Sequence, residues 1–251
     1  MSKCKCLLGK SKKLSSRSLQ YVDHLLKQLL PGRCDFCLAP STSSRSWCNA
    51  CFKTLPWNNH ACYQCAEPIP DNTYSLCGHC LKQLPAYDIA RVGLRYEGEV
   101  ALLIQRFKFN ADPRAGVLLV DLMHASLQQL FPQELPQALV AVPRHPQRAK
   151  EFGFDQAQWL SQQLSKRMGI PCLAARRIRS TPTQRGLDRS ARLRNVQDAF
   201  VVGVALPPHV AVVDDIMTTG ASLEGLAKAC RIAGASRVEA WAAARTPLAL
   251  S

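Results

Sequence analysis

Two groups of residues in this chain have the types and spacing to do chemistry. The first is Asp214-Asp215, followed at once by Met217-Thr-Thr-Gly-Ala-Ser222. Four apolar residues, Val210 to Val213, lead into the acidic pair and read as a short buried strand. Leu223, Leu226, Ala227, Cys230 and Ile232 then recur at helical spacing up to Gly234, the stop signal, with Ser222 or Thr219 as the N-cap. A strand–loop–helix of this kind offers free backbone N–H groups at the positive end of a helix dipole, a setting for phosphate. Gly220 lets the backbone approach the anion, and Thr218 and Thr219 add hydroxyl donors. Two carboxylates would repel that phosphate unless they meet hydroxyls or a cation. A ribose diol and Mg²⁺ supply both, so the matching ligand is a ribose 5-phosphate. The plainer alternative is an ordinary strand–helix unit whose Asp214 and Asp215 are solvated strand-end charges.

The second group is a regular array of cysteines. Cys34/Cys37, Cys48/Cys51, Cys62/Cys65 and Cys77/Cys80 form four C-x-x-C knuckles separated by 10, 10 and 11 residues. Each knuckle brings two thiolates to one ion from a single turn, and two knuckles complete a tetrahedron. Eight ligands therefore fit two structural Zn²⁺. Sequential pairing gives tandem ribbons and interleaved pairing a cross-braced module; the spacing admits both. His79 lies between two ligands as a bystander or a substitute. Disulfides would need an oxidising compartment, and a redox C-x-x-C would be single rather than repeated. Few apolar residues separate the knuckles, so this segment has no core without metal.

The elements that must position these groups divide the chain into four expected parts. Residues 1–18 are a basic, Ser/Lys-rich arm, and residues 19–33 a short amphipathic helix built on Leu19, Val22, Leu25, Leu26, Leu29 and Leu30. Residues 34–83 are the double zinc ribbon. After a linker at Pro85 to Asp88, residues 84–251 alternate strands and helices and predict a parallel-sheet α/β domain. Its strands are expected at Arg91–Tyr96, Ala138–Val142, Pro171–Ala174, Ala199–Val202, Val210–Val213 and Arg237–Ala243. Its helices are expected at Glu99–Phe109, Gly116–Leu130 and Gln156–Met168. Ligands in such sheets bind beyond the strands' carboxyl ends, where Pro143 and Asp214 fall.

The chain has 251 residues and a formal net charge of +14. Two stretches, Met1–Gln20 and Arg144–Arg194, carry essentially all of that excess, which favours a polyanion over a merely solubilising surface. No apolar run is long enough to span a membrane, and the lysines near Met1 are not followed by a signal-type apolar region. A cytoplasmic protein is expected. Two further loops face the same sheet edge. Val142-Pro-Arg-His-Pro-Gln-Arg148, with Lys150, is a basic loop suited to pyrophosphate. Arg176 to Asn195 is long, polar and arginine-rich, the composition of a lid that closes over an anion.

Taken together, these segments resemble the ComF family (ComFC/GntX-like proteins), in which a double zinc ribbon precedes a type I phosphoribosyltransferase-like domain. The resemblance runs from about Leu29 to the C-terminus. It rests on Leu30-Pro31 with Cys34, the four knuckles, Phe107-Lys-Phe109, Val142-Pro143 with Arg148, and Gly153-Phe154 with Gln156. Further on it takes in Thr183-Gln184, Leu187, Arg192, Asn195, Ala199-Phe200 and Val213-Asp-Asp-Ile-Met-Thr-Thr-Gly220. It implies a site for phosphoribosyl pyrophosphate (PRPP) or a related phosphoribosyl ligand. Asp214 and Asp215 would take the ribose hydroxyls, and Met217, Thr218, Thr219, Gly220, Ala221 and Ser222 the 5-phosphate. Mg²⁺ would be present, with Arg148 and Arg192 toward the pyrophosphate. It also implies a role in competence, with single-stranded DNA and other DNA-uptake or recombination proteins as partners. The alternative is a non-catalytic nucleic-acid-binding module with a regulatory or residual PRPP site, stacking bases on Phe107, Phe109 or Trp47. The chain departs from the family's usual Arg-Gly-Phe-Asn-Gln by reading Phe152-Gly-Phe-Asp155-Gln, which removes one arginine and adds a carboxylate.

Overall fold

A computed structural model describes residues 32–41, 46–70, 75–130, 134–144, 155–178 and 199–248. The basic arm, the helix expected between Leu19 and Leu30, the loop carrying Arg148, and nearly all of the arginine-rich stretch including Arg192 lie outside them. The chain forms two compact units, dividing after Thr54.

In the first unit, β1 (Gly32–Arg33) pairs antiparallel with β2 (Pro40–Ser41), and α1 (Asn49–Thr54) follows. Trp47 is buried and stacks on Phe52, ring centroids 5.5 Å apart at 16°. It is therefore not exposed for base stacking as the sequence suggested. A fused ring system of that size offers a large apolar area to bury.

The second unit opens on the second pair of knuckles and α2 (Gly78–Lys82). The α/β region then follows as β3 (Ile89–Arg91), α3 (Gly98–Asn110), α4 (Pro113–Leu130), β4 (Ala138–Ala141) and α5 (Gln156–Met168). After these come β5 (Cys172–Leu173), β6 (Ala175–Arg177), β7 (Phe200–Val202), β8 (His209–Met217), α6 (Ala221–Ile232) and β9 (Arg237–Arg245). Five strands make one sheet in the order β3-β9-β8-β4-β5, every neighbouring pair parallel. Both faces are covered. Val210, Val212, Ala240 and Ala242 share a core with Leu223, Leu226 and Ala227 of α6, while the intervening Ala211, Val213 and Trp241 are equally buried. That double burial is why Val210–Val213 reads as continuous rather than alternating apolar sequence.

Local signals account for the helix boundaries. The Asp112 side chain accepts the N–H groups of Arg114 and Ala115, so α4 starts on an Asp-Pro cap at Pro113, earlier than its apolar spacing suggested. Asp155 caps α5 by accepting the Gln158 N–H, and left-handed Gly169 ends it. The first residue of α6 is preceded by Gly220 at φ +78°, which is its N-cap in place of Ser222 or Thr219.

Three expectations about strands are corrected. The strand expected at Arg91–Tyr96 lies at Ile89–Arg91, with only isolated bridges at Leu94 and Arg95 beyond it. Phe200–Val202 does not join the parallel sheet; β7 pairs antiparallel with β6 in a separate two-stranded ribbon. Arg176 and Arg177 lie in that ribbon, so the arginine-rich stretch begins as strand, not as loop. The physical reason is length: after β5 only Ala174 intervenes before β6, too little chain for a crossover to another parallel position.

Candidate functional site

Strand β8 is longer than its apolar core. Val213 is the last residue opposite β4, beside Ala141, yet β8 continues through Asp214 to Met217 with only β9 alongside. The acidic pair thus sits within a strand that overshoots its neighbour. Strand order reverses at this point: the chain runs outward from β4 to β5 on one side and from β8 to β9 on the other. In open parallel sheets the helices diverge at such a reversal and leave a crevice beyond the carboxyl ends. Val142 to Arg144 leave β4 on one wall, and Asp214 to Gly220 form the other.

Charge at this edge is arranged around the acidic pair. Lys108 of α3 reaches Asp215, Nζ to Oδ2 at 2.8 Å. The Asp215 N–H donates to Asp214 Oδ1 and the Ile216 N–H to Asp215 Oδ1, both at 2.8 Å. Burial, and then the like charge of Asp215, hold the Asp214 carboxyl well above the usual carboxylate range. Asp215 lies below that range: burial opposes this, but the Lys108 ammonium, with a smaller contribution from Arg144, outweighs it. The two carboxyls titrate as a pair, and a cation at the site would favour ionisation of both.

Lys108 was legible only as part of a basic-aromatic run, and its role comes from tertiary contact. Gln156, buried, donates from Nε2 to the Lys108 carbonyl at 3.1 Å and fixes the end of α3. Phe107 is buried against Trp159, so of Phe107 and Phe109 only Phe109 is exposed. Asp155, the residue that departs from the family pattern, spends both oxygens structurally. Oδ1 caps α5 and Oδ2 accepts the Arg144 N–H at 3.1 Å. An asparagine offers one carbonyl oxygen for the same two bonds.

The loop from Met217 to Gly220 is built by backbone constraint. A Cβ placed on Gly220 would stand 3.1 Å from the Tyr87 hydroxyl, and φ +78° already disfavours any other residue. Thr219 Oγ1 accepts the Ala221 N–H at 3.4 Å. Met217 and Ala221 are buried, whereas Thr218, Thr219 and Ser222 are partly exposed. Asp214, Asp215 and the Met217–Ser222 turn are therefore brought to one edge.

The cysteines form two sets, Cys34, Cys37, Cys48, Cys51 and Cys62, Cys65, Cys77, Cys80, with each set's sulfurs within 4.8 Å of one another. Pairing is sequential, and His79 belongs to neither set. The Cys37–Cys48 and Cys65–Cys77 sulfurs are 3.8 and 3.6 Å apart. A tetrahedron with Zn–S bonds of roughly 2.3 Å has edges of about 3.8 Å, whereas a disulfide would need about 2.05 Å. The donor sets fit zinc. In the second set, the hydrogen bond from Cys65 draws the Cys62 thiol down to about 4, while burial pushes Cys80 up to about 12. The two sets are copies of one motif. Cys34 and Cys62 donate their N–H to Ala39 and Glu67, Asp35 and Tyr63 to Ser46 and Ser75, and Leu38 and Ala66 to Cys34 and Cys62, all at 2.8–2.9 Å. Leu38 (φ 61°) and Ala66 (φ 53°) both turn through left-handed backbone after the second cysteine.

Residues 25–86 match the family described as "Double zinc ribbon domain". "Competence protein F" of Haemophilus influenzae is 33% identical over 209 residues, covering 80% of this chain and 89% of its own. The chain belongs to the ComF family. Another relative, "DNA utilization protein YhgH" of Escherichia coli K12, is 29% identical over 229 residues and is covered over 98% of its length. "Competence protein ComFC" of Streptococcus pneumoniae aligns over 56% of this ComF chain at 28% identity. Among solved structures, a purine phosphoribosyltransferase from Pyrococcus horikoshii Ot3 covers 51% of the chain at 16% identity and a TM-score of 0.34. Among the described residues no helix is long and apolar enough to cross a membrane.

Proposed function

We propose that this ComF protein binds PRPP with Mg²⁺ at the β8–α6 edge and acts in the handling of incoming DNA during competence. The observation that carries the first half is the overshoot of β8, which sets Asp214 and Asp215 beside the glycine-capped start of α6 at the strand-order reversal. The 5-phosphate would lie on the backbone of Met217 to Ser222, and the ribose hydroxyls on the two aspartates. Mg²⁺ would supply positive charge to the pyrophosphate oxygens. Lys108, which neutralises Asp215 without ligand, is placed to release it to that cation and turn toward phosphate oxygen. Arg148 and Arg192 are assigned to the pyrophosphate. In transfer chemistry, the C1–O bond breaks with its electron pair leaving on pyrophosphate, whose added charge arginines would stabilise.

Titration calorimetry with PRPP and Mg²⁺ tests this. The wild type should bind, and Asp214→Asn/Asp215→Asn should bind at least ten-fold more weakly. Absence of binding by the wild type sinks the reading.

A second activity, contact with single-stranded DNA, has its own support. The positive charge is concentrated in two stretches, and relatives are named for competence and DNA utilization. Phosphate contacts predict a log–log salt slope of about −0.7 per contact on single strands, measurable by fluorescence anisotropy. A slope near zero would remove this half and leave the PRPP site standing.

A further inference from the structure

The turn that follows β8 is held from behind by one buried side chain. Arg245, at the end of β9, is 1% exposed and its guanidinium is divided between two segments. On one side Nη1 donates to the carbonyls of Met217 (3.0 Å), Thr218 and Thr246 (2.6 Å). On the other, Nε donates to the carbonyl of Cys65 at 3.2 Å, and Nη2 pairs with Glu67 Oε2 at 2.6 Å. Cys65 is one of the second set's four thiols, and Glu67 lies two residues on, its N-terminal partner Cys62 donating an N–H to the Glu67 carbonyl. Tyr87 makes a parallel link. Its hydroxyl stands against Gly220, and its carbonyl accepts from Gln64, between Cys62 and Cys65, at 2.6 Å.

Peptide geometry gives this arrangement a consequence. A trans peptide directs its N–H opposite to its C=O, so pinning the carbonyls of Met217 and Thr218 to Arg245 aims the N–H groups of Thr218 and Thr219 away from it. Those are amides assigned above to the phosphate. A guanidinium this buried also needs its counter-charge, and Glu67 supplies it from the knuckle. The knuckle in turn has a small core among the described residues: Cys62, Cys65 and Cys80 cluster with Ile69 and Leu76 packed against them, and Ala66 packs into the α/β core instead. The Leu248 N–H holds Glu67 Oε1 and Asn58 Nδ2 holds the Ala66 carbonyl, while gathering the four thiols around metal sets the turn that presents the Cys65 carbonyl and Glu67 to Arg245.

We infer that Arg245 is a positioning residue through which zinc at Cys62/Cys65/Cys77/Cys80 orders the Met217–Gly220 turn, so that metal occupancy and anion binding at that turn are coupled. Coupling between two sites is reciprocal: a phosphoribosyl ligand must tighten equilibrium binding of that zinc by the factor that the zinc improves its own. The inference rests on the PRPP reading for its functional meaning, but not for its test.

Amide hydrogen exchange on the full-length, zinc-loaded chain provides that test without ligand. In Arg245→Lys and Glu67→Gln, both of which retain all eight thiols, exchange at residues 218–221 should be at least ten-fold faster than in wild type. The Val210–Val213 amides should stay protected. Removing the second zinc from wild type with a chelator should accelerate the same turn, with no further effect in Arg245→Lys. A turn that exchanges at the wild-type rate in both zinc-loaded variants overturns the inference. So does loss of protection spreading equally into Val210–Val213, which would make the effect global. A separate measurement follows equilibrium competition for zinc by a chelator, with and without PRPP and Mg²⁺. If calorimetry shows no PRPP binding, the functional reading fails while the exchange result stands alone.

Discussion

At the scale of single residues, the acidic pair is the most informative position. Asp214 is held above the ordinary carboxylate range in the folded chain, so its contribution to stability is present at low pH and lost as pH rises through its folded value. Asp215 behaves oppositely: its contribution is present above the ordinary value and lost as pH falls through its lowered one. A cation that needs both carboxylates ionised opposes the upward shift of Asp214. Ligand binding should therefore release protons and tighten as pH rises through the range in which Asp214 ionises. Calorimetry repeated in buffers of different ionisation enthalpy reads the proton count directly, and a count of zero across that range would contradict the raised Asp214. Replacing Lys108 with methionine leaves Asp215 without its counter-charge and should cost about 1–2 kcal/mol in urea unfolding, since the lysine is partly solvated. Gly220→Ala should cost a further order of 1–2 kcal/mol, because Cβ meets both a left-handed backbone and the Tyr87 hydroxyl. At Leu38 the sign reverses. Its side chain is 64% exposed and its φ is 61°, so Leu38→Gly should stabilise the first ribbon by roughly 1 kcal/mol, seen as slower zinc loss.

At the scale of elements, the position of Lys108 depends on how closely three helices pack. A Cβ on Gly116 of α4 would come within 2.7 Å of Phe107 in α3 and 2.8 Å of Trp159 in α5. Gly116→Ala should force α3 outward, cost about 1–3 kcal/mol by thermal unfolding, and loosen the Lys108–Asp215 pair. Removal of that pair's perturbation would appear as an upward-shifted Asp215 titration by NMR. Which elements exist was legible from apolar spacing, and α5 matches its expected bounds, because Asp155 and Gly169 are strong local signals. The length of β8 was not legible. Polar Asp214 and Asp215 end the apolar run, but pairing with β9 carries the strand four residues further. Phe200–Val202 had the composition of a sheet strand, and nothing local distinguishes a ribbon partner from a sheet partner. The roles of Lys108, Gln156, Tyr87 and Arg245 were not legible for a related reason: each acts through a contact between residues far apart in the chain.

At the scale of the whole molecule, the cysteine array is the feature most fully readable in advance, since ligand spacing is a local property. Metal analysis of reduced, purified protein should find two zinc ions per chain, and serine at Cys37 and Cys48 together should reduce that to one. The charge excess belongs to this scale too, and it was readable as clustering although much of it lies outside the described residues. What the alternating strand–helix pattern could not reveal was the strand order, and with it the reversal between β4 and β8. That order depends on which strands meet, not on where each begins.

Asp155 joins the two ends of an excursion. One oxygen caps α5 and the other accepts from the amide of Arg144, so the residues just after β4 and the start of α5 are latched together. A latch of this kind separates the length of what it closes off from the framework beneath. Lengthening a closed loop costs only about 0.6 kcal/mol per doubling. Extra residues inserted between Arg144 and Asp155, with Arg148 retained, should therefore leave the melting temperature nearly unchanged.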